Sequence, residues 1–241
     1  MRKTTIQDIS DLGLAIEFTN IAVERERWNL IDNAAASAES QYRITHASLI
    51  DAARRMPSWT PGGRVTDFTD WVFRLYHTSS YKSLVQGAAA EREIARRRIP
   101  RLTHNEHWKL VYDGMGENAQ VDPCTISNLS ISGKAICGSP DLVFRYKNER
   151  RIRILELKAT SVPIIPSDGS PNLRAQLWAY SQIDRWADAK SIDLVAEIWD
   201  AHGLKVRKVI GWRTDDEKFQ SENRELWEIY QAGSINSIKS Q

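Results

Sequence analysis

Apolar and polar positions follow their clearest pattern in the middle of the chain. Residues 138–144 and 152–158 are mostly apolar, with many β-branched or aromatic side chains, and the stretch 147–150 between them is wholly polar. This pattern predicts two strands joined by a tight turn. We place Asn148 and Glu149 at the tip as a two-residue hairpin loop, so that residue 147 pairs with residue 150 and the ladder continues to the open end.

Two carboxylates and an amine meet at the open end of this predicted hairpin. The register sets Asp141 directly across from Glu156, about 5 Å away at Cβ, where like charges are destabilising. Glu156 and Lys158 are two residues apart and share one face of their strand. The pattern therefore favours a divalent cation held through oxygen ligands. The alternative is that Asp141 is a turn residue after Pro140 and that the other two line a solvated strand face.

Apolar spacing elsewhere predicts helices around a mixed sheet. Helices are predicted over residues 5–40, 44–56, 66–76, 79–98, 173–188 and 215–230. Further strands are predicted over residues 108–112, 125–136, 191–199 and 205–212. Residues 163–171 are rich in proline and glycine and predict a loop, by its position a lid over the site. This order of elements predicts an α/β or α+β fold, with one mixed central β-sheet flanked by helices.

Composition narrows the class of protein only in part. With 41% hydrophobic residues and nine tryptophans, the 241-residue chain can bury a sizeable core. The formal net charge of +2 excludes neither nucleic acid nor a small molecule as ligand. The sequence shows neither a signal peptide nor an apolar run of about 18 residues, so we expect a cytoplasmic protein that does not span a membrane. Cys124 and Cys137 lack metal-ligand spacing and are expected to be reduced thiols.

Four short motifs resemble those of a known enzyme superfamily. Pro140-Asp141 followed by Glu156-Leu157-Lys158 resembles the signature of the PD-(D/E)xK nucleases. Residues 176–180 match the QxxxY element of the RecB-like branch. Gly87, followed four residues later by Glu91, is similar to that branch's first motif, with glutamate as in its lambda-exonuclease-like members. The resemblance covers roughly residues 80–212.

The resemblance implies a restriction-endonuclease-like core and a site whose residues have separate roles. It implies a core over residues 81–231, with an N-terminal helical elaboration over 1–80 packing on it; the polar segment 232–241 is expected to be a frayed tail. It also implies Mg²⁺ or Mn²⁺ as cofactor and Lys158 as the residue that orients water and stabilises negative charge. The implied metal ligands are Glu91, Asp141, Glu156 and the Leu157 carbonyl. Gln176 and Tyr180 are implied to position DNA, the alternative being that Tyr180 only packs its helix onto the sheet.

An iron–sulfur cluster is not expected. Some RecB-like relatives carry a cysteine ligand near the position of Met56 in this chain. With methionine there and only two cysteines in the sequence, ligation by four cysteines is impossible.

Arginines are densest at the end of the predicted helix 79–98 and just beyond it. The cluster comprises Arg92, Arg96, Arg97, Arg98 and Arg101. One interpretation is a solvated helix end, where cations are favourable and Glu93 pairs with Arg97. The other is a phosphate-binding patch beside the active site, in which Arg92, Arg96 and Arg97 would contact DNA.

Taken together, the motifs predict a Mg²⁺- or Mn²⁺-dependent deoxyribonuclease, a phosphodiester hydrolase. The QxxxY element favours an exonuclease or end-processing enzyme of DNA repair, recombination or phage defence. One alternative is an endonuclease of the same fold. Another is a catalytically silent module that binds DNA or protein. DNA is the expected partner, with a helicase or another DNA-processing protein as a candidate.

Overall fold

The structure is a computed structural model. It describes residues 44–56, 59–76, 82–104, 107–115, 122–147, 149–160, 165, 169–200 and 205–238. The helix predicted over 5–40 and most of the loop predicted as a lid lie outside these residues. In the described part of the chain, no helix is long and apolar enough to cross a membrane.

The elements follow the predicted order closely. The helices are α1 (His46–Arg55), α2 (Val65–Arg74), α3 (Lys82–Thr103), α4 (Pro171–Ser181) and α5 (Glu217–Ile238), and a short 3₁₀ helix spans Asp184–Trp186. The strands are β1 (Trp108–Asp113), β2 (Cys124–Ile131), β3 (Lys134–Gly138), β4 (Leu142–Tyr146), β5 (Arg151–Thr160), β6 (Ser191–Asp200) and β7 (Val206–Arg213).

Five of these strands form one central sheet in the order β1-β4-β5-β6-β7. Strands β5 and β6 are parallel, and the other neighbours are antiparallel, so the sheet is mixed. Strands β2 and β3 form a separate hairpin. The prediction of a mixed sheet flanked by helices is confirmed.

The register of the central hairpin is the predicted one. The β4–β5 ladder runs from Arg145 opposite Ile152 to Leu142 opposite Leu155, which is the pairing that a tip at residues 148–149 requires. Strand β5 continues beyond Leu155 and stays paired with β6 as far as Thr160. The edge of β5 that faces β4 therefore extends past the end of that partner, and this unpaired edge is where the predicted site residues lie.

Both faces of β5 are covered, and residues 152–157 are buried one after another although two of them are charged. Ile152 and Ile154 join one buried cluster with α1, α2, α4 and α5. Leu155 and Leu157 join a second cluster with Ile94 of α3 on the opposite face. The last residues of β5 are thus enclosed by α4 on one side and α3 on the other.

Helix α4 ends earlier than predicted. The predicted helix over 173–188 stops at Ser181 and is followed by the 3₁₀ turn. The Trp186 indole N–H donates to the Tyr180 carbonyl at 3.1 Å, and the Ser181 hydroxyl donates to the Trp178 carbonyl at 2.7 Å. These side chains satisfy carbonyls that a longer helix would have used.

Helices α3 and α5 run further than predicted. Helix α3 passes through Pro100 and ends at Thr103, where the Leu102 side chain is buried in the core. Helix α5 continues past residue 230 to Ile238, so the segment predicted as a frayed tail begins inside a helix. The Gln231 amide donates to the Ser130 carbonyl at 2.7 Å and holds this extra turn against the β2–β3 hairpin.

Gly138 lies where α2 and α4 approach the end of β3 most closely. A Cβ at this position would lie 2.7 Å from Tyr180 Cε1 and 2.8 Å from Val65 Cγ2. We expect Gly138→Ala to lower the free energy of unfolding by about 1–3 kcal/mol, because one of these packed neighbours must shift. The matched control is Gly63→Ala, where an added Cβ has nothing within 4 Å. Equal urea midpoints for the two variants would contradict the expected overpacking.

Candidate active site

The unpaired edge of β5 gathers the side chains that the motifs predict. Asp141 immediately precedes β4, and Glu156 and Lys158 lie on β5 itself. Glu91 reaches the same place from α3, and Gln176 and Tyr180 reach it from α4. The structure therefore brings all the predicted carboxylates, the lysine and the QxxxY pair together at one end of the sheet.

Two carboxylates bind the backbone N–H groups that β4 leaves without a partner. Asp141 Oδ2 accepts a hydrogen bond from the Leu157 N–H at 2.7 Å. Glu91 Oε1 accepts one from the Ala159 N–H at 3.1 Å. The N–H and C=O groups of one strand residue point to the same side, so the Leu157 carbonyl also faces the edge that these carboxylates occupy.

Glu156 is the most deeply buried of the three carboxylates, with 1% of its surface exposed. Its Oε1 accepts hydrogen bonds from Lys158 Nζ at 2.8 Å and from Gln176 Nε2 at 2.7 Å. Its Oε2 is buried and has no hydrogen-bond partner among the residues that the structure describes. Because buried carboxylate oxygens are normally satisfied, this atom marks a position that favours a cation.

Gln176 and Tyr180 lie behind Glu156. The Gln176 amide N–H also reaches the Tyr180 hydroxyl oxygen at 3.2 Å, and the Tyr180 hydroxyl donates to the Ser139 carbonyl at 3.1 Å. Both side chains are buried, with 7% and 2% of their surface exposed. In this structure the pair orients a carboxylate, and the implied contact of Gln176 and Tyr180 with DNA stays a prediction.

Electrostatics at the site are dominated by burial and by the crowding of like charges. Burial raises the pKa of Asp141 well above its usual range, and the Glu156 carboxylate raises it further. Burial likewise raises the pKa of Glu156, against the opposing effect of Lys158. Burial alone would lower the pKa of Lys158, but the carboxylates of Glu156, Glu91 and Asp141 outweigh it and hold that pKa well above its usual value. The lysine is therefore a cation at any physiological pH.

Asp70 is a site neighbour that the sequence did not single out. It lies on α2, where burial raises its pKa while the charges of Arg74 and Lys158 act to lower it. The charge of Lys158 acts on this exposed carboxyl group, which makes Asp70 an electrostatic neighbour of the site. The sequence carries no signal for it, since Asp70 lies on the exposed polar side of α2, as in any amphipathic helix.

The arginine cluster divides into a buried member and exposed ones. Arg98 is buried in a two-point ion pair with Glu197, so it is not available to phosphate as part of the patch. Arg96 and Arg97 are exposed and both bind Glu93, the second of these pairs as predicted. Arg92 is exposed. Contact of Arg92, Arg96 and Arg97 with DNA stays a prediction.

The donor set fits a hard divalent cation in chemistry but is not arranged as a ready-made cage. Carboxylate and carbonyl oxygens suit Mg²⁺ or Mn²⁺. One such oxygen, Glu156 Oε2, is buried and accepts no hydrogen bond from the described residues. Across the described residues, however, no group of three or more His, Cys, Asp or Glu side chains is arranged to hold a metal ion. One oxygen of Asp141 and one of Glu91 accept backbone N–H groups of β5 instead.

Comparisons with known proteins found limited similarity. No protein-family model matches the chain. No curated protein matches it. Among solved structures, the alkaline exonuclease LHK-Exo from Laribacter hongkongensis is 14% identical, with a TM-score of 0.39 over 82% of this chain and 92% of that one. The protein SSO0001 is also 14% identical, with a TM-score of 0.35 over 78% of this chain and 88% of that one. At these values neither resemblance assigns a family or an activity.

Proposed function

We propose that this chain is a Mg²⁺- or Mn²⁺-dependent deoxyribonuclease that hydrolyses phosphodiester bonds. The observation that carries the proposal is the meeting of Asp141 and Glu156 at the unpaired edge of β5. Glu156 Oε2 is buried without a hydrogen-bond partner in the described part of the chain, and the Lys158 ammonium binds the other oxygen, Oε1. A fold stabilised only by its own contacts gains nothing from burying like charges together. A cation bound by the two carboxylates would remove their repulsion, and it would attract the phosphate of a substrate.

Asp141, Glu156 and the Leu157 carbonyl would hold the metal, and Glu91 would extend the set. A bound divalent cation supplies a water of lowered pKa and neutralises phosphate charge. The bond from the Leu157 N–H fixes Asp141 through Oδ2, so that the other carboxylate oxygen would bind the metal. Glu156 is fixed by the Gln176 amide, which the Tyr180 hydroxyl and the Ser139 carbonyl support in turn. Such support reduces the reorganisation required during the reaction.

Lys158 would act as a charge-stabilising and water-orienting group rather than as a general base. Its pKa is held well above the usual value, so its amine keeps its proton and has no lone pair to accept another. An ammonium placed 2.8 Å from a metal-binding carboxylate can donate to a phosphate oxygen on which negative charge develops. The third of its surface that is exposed is the part open to a substrate.

The substrate we propose is DNA. The chain would act on it as an exonuclease or end-processing enzyme in repair, recombination or phage defence. The exposed arginines of α3, on the helix that carries Glu91, would contact the phosphate backbone. A helicase or another DNA-processing protein is the proposed partner, and the cytoplasm is the proposed location.

Cleavage of three DNA substrates tests the proposal. We expect the wild-type chain to cut linear single-stranded or linear duplex DNA with Mg²⁺ or Mn²⁺, and to lose all cutting in EDTA. Covalently closed circular DNA should be resistant if an end is required, whereas its cleavage would favour an endonuclease. If none of the substrates is cut with either metal while DNA is still bound, the chain is instead a silent binding module.

A further inference from the structure

The face of α3 that packs on the sheet carries both apolar and charged residues. Glu91, Ile94, Ala95, Arg98 and Leu102 recur at the three- and four-residue spacing of one helical stripe. Ile94, Ala95 and Leu102 are buried apolar residues, as expected for such a stripe, and Arg98 is buried as well. The stripe therefore contains two charged side chains, seven residues apart, on a face that otherwise packs like a core.

Arg98 and Glu197 form a two-point ion pair inside this packing. Arg98 Nε donates to Glu197 Oε2 at 3.1 Å, and Arg98 Nη2 donates to Glu197 Oε1 at 3.0 Å. The side chains are 5% and 0% exposed. The Trp199 indole N–H adds a third donor to Glu197 at 3.1 Å, and the Arg98 guanidinium lies 5.8 Å from the Trp199 ring centre. Removing the pair from water is costly, so stability alone does not explain it.

The register of the sheet links this pair to the candidate active site. Glu197 of β6 lies beside Leu157 of β5, and Trp199 lies beside Ala159. Ala159 is the residue whose N–H binds Glu91. Helix α3 is thus attached to the sheet at two directional points on neighbouring strands, through Glu91 to β5 and through Arg98 to β6.

We propose that the Arg98–Glu197 pair is a positioning device that sets the rotation and the axial position of α3, and thereby holds the Glu91 carboxylate at the edge of β5. Apolar contacts alone tolerate a slide of a helix along a sheet, whereas a two-point ion pair has one geometry. A single buried polar contact can fix register in this way in packed helices. Arg98 does not touch the reacting atoms and acts through Glu91. The effect on metal binding rests on the proposed function; the effect on Glu91 does not.

The test replaces the pair by apolar side chains of similar size, Arg98→Met with Glu197→Met. Such a replacement leaves no buried charge unpaired, so the protein is expected to stay folded. We expect hydrogen exchange of the Ala159 amide, followed by NMR, to be at least about tenfold faster, as in Glu91→Ala. We also expect the dissociation constant for Mn²⁺ or Mg²⁺, measured by calorimetry, to rise about tenfold, the usual effect of losing an outer-shell partner.

Further variants distinguish a positioning role of the ion pair from a general loss of stability. Arg145→Met removes an exposed pair with Asp188 at 3.8 Å and should change neither measurement. In a Glu91→Ala background, the double substitution should add nothing to either effect, because the side chain it positions is already absent. If the double variant does not fold, Arg98→Lys keeps the charge without the two-point geometry and should still speed up Ala159 exchange.

The outcomes of the two proposals can be told apart. Unchanged Ala159 exchange in the apolar pair variant or in Arg98→Lys overturns the positioning role, whatever the metal data show. If Mn²⁺ and Mg²⁺ bind wild type no better than they bind Asp141→Asn, the proposed metal-dependent function fails, and Ala159 exchange still decides the role of Arg98.

Discussion

Asp141→Asn is expected to reduce metal-dependent cleavage by a factor on the order of 10³ while making the metal-free protein more stable. The asparagine oxygen can still accept the Leu157 N–H bond that Asp141 Oδ2 now accepts at 2.7 Å, so the local backbone should be preserved. What is lost is one negative charge among the proposed metal ligands, and a neutral amide is a weak ligand for a hard cation. The charge stabilisation that the bound ion supplies is lost with it.

The expected gain in stability follows from the raised pKa of Asp141. Burial and the Glu156 carboxylate raise that pKa well above its usual value, so the folded state binds this proton more tightly than the unfolded chain does. The contribution to stability is therefore complete below the unfolded pKa of about 4 and is lost as the pH rises through the folded pKa. Asparagine does not titrate, so the variant should lose less stability between acidic and neutral pH.

Thermal melts in EDTA check this expectation. At neutral pH we expect the melting temperature of Asp141→Asn to exceed that of wild type by about 2–4 °C, which corresponds to about 1 kcal/mol in a chain of this size. Added Mg²⁺ or Mn²⁺ should raise the melting temperature of wild type but not of the variant. Asp188→Asn, on the exposed turn before β6, is the control for loss of a carboxylate. A melting temperature of Asp141→Asn below that of wild type would contradict the claim that repulsion between the Asp141 and Glu156 carboxylates destabilises the metal-free protein.

The register of the hairpin was predictable because it depends on local rules. A polar tip between two apolar segments fixes the register, and the register then dictates that Asp141 faces Glu156. The structure has this pairing from Arg145 opposite Ile152 to Leu142 opposite Leu155. Local contacts also start α1, where Thr45 and Ser48 form the reciprocal hydrogen bonds of a capping box.

Contacts between distant segments were not predictable in the same way. Arg98 and Arg97 are neighbours in a run of three arginines, yet one is buried against Glu197 and the other binds Glu93 at the surface. Only the rotation of α3 on the sheet decides which of them faces inward. The sequence does carry the three- and four-residue spacing from Glu91 to Arg98, but without Glu197 opposite it the spacing has no interpretation.

The predicted ends of helices α4 and α5 were wrong for a related reason. The Trp186 indole N–H satisfies the Tyr180 carbonyl and so allows α4 to end at Ser181, although the apolar spacing continues. At the other extreme, the Gln231 amide binds the Ser130 carbonyl and extends α5 into a stretch of weak helix formers. In both cases a tertiary hydrogen bond overrides local propensity.

Lys158→Met is expected to reduce cleavage by a factor of about 10²–10³ and, in contrast to Asp141→Asn, to destabilise the metal-free protein. The ammonium is bonded to Glu156 Oε1 at 2.8 Å, and its charge also acts on Asp141 and Glu91. Without it, the buried carboxylates keep only their mutual repulsion. Because a third of the lysine side chain is exposed to solvent, we expect a loss of about 1–3 kcal/mol rather than the larger cost of breaking a fully buried pair.

The two variants should therefore move stability in opposite directions while both lose activity, which a generally damaged fold would not produce. In Lys158→Met the pKa values of Glu156 and Asp141 lose an influence that lowers them, so the variant should recover stability as the pH falls toward the unfolded value of about 4. A bound divalent cation replaces the missing positive charge, so Mg²⁺ or Mn²⁺ should raise the melting temperature of Lys158→Met by more than that of wild type. Lys134→Met, at the exposed first residue of β3, should match wild type in every measurement. If Lys158→Met melts at the wild-type temperature in EDTA and gains nothing from metal, the lysine does not balance the buried carboxylates and its place in the site must be reassigned.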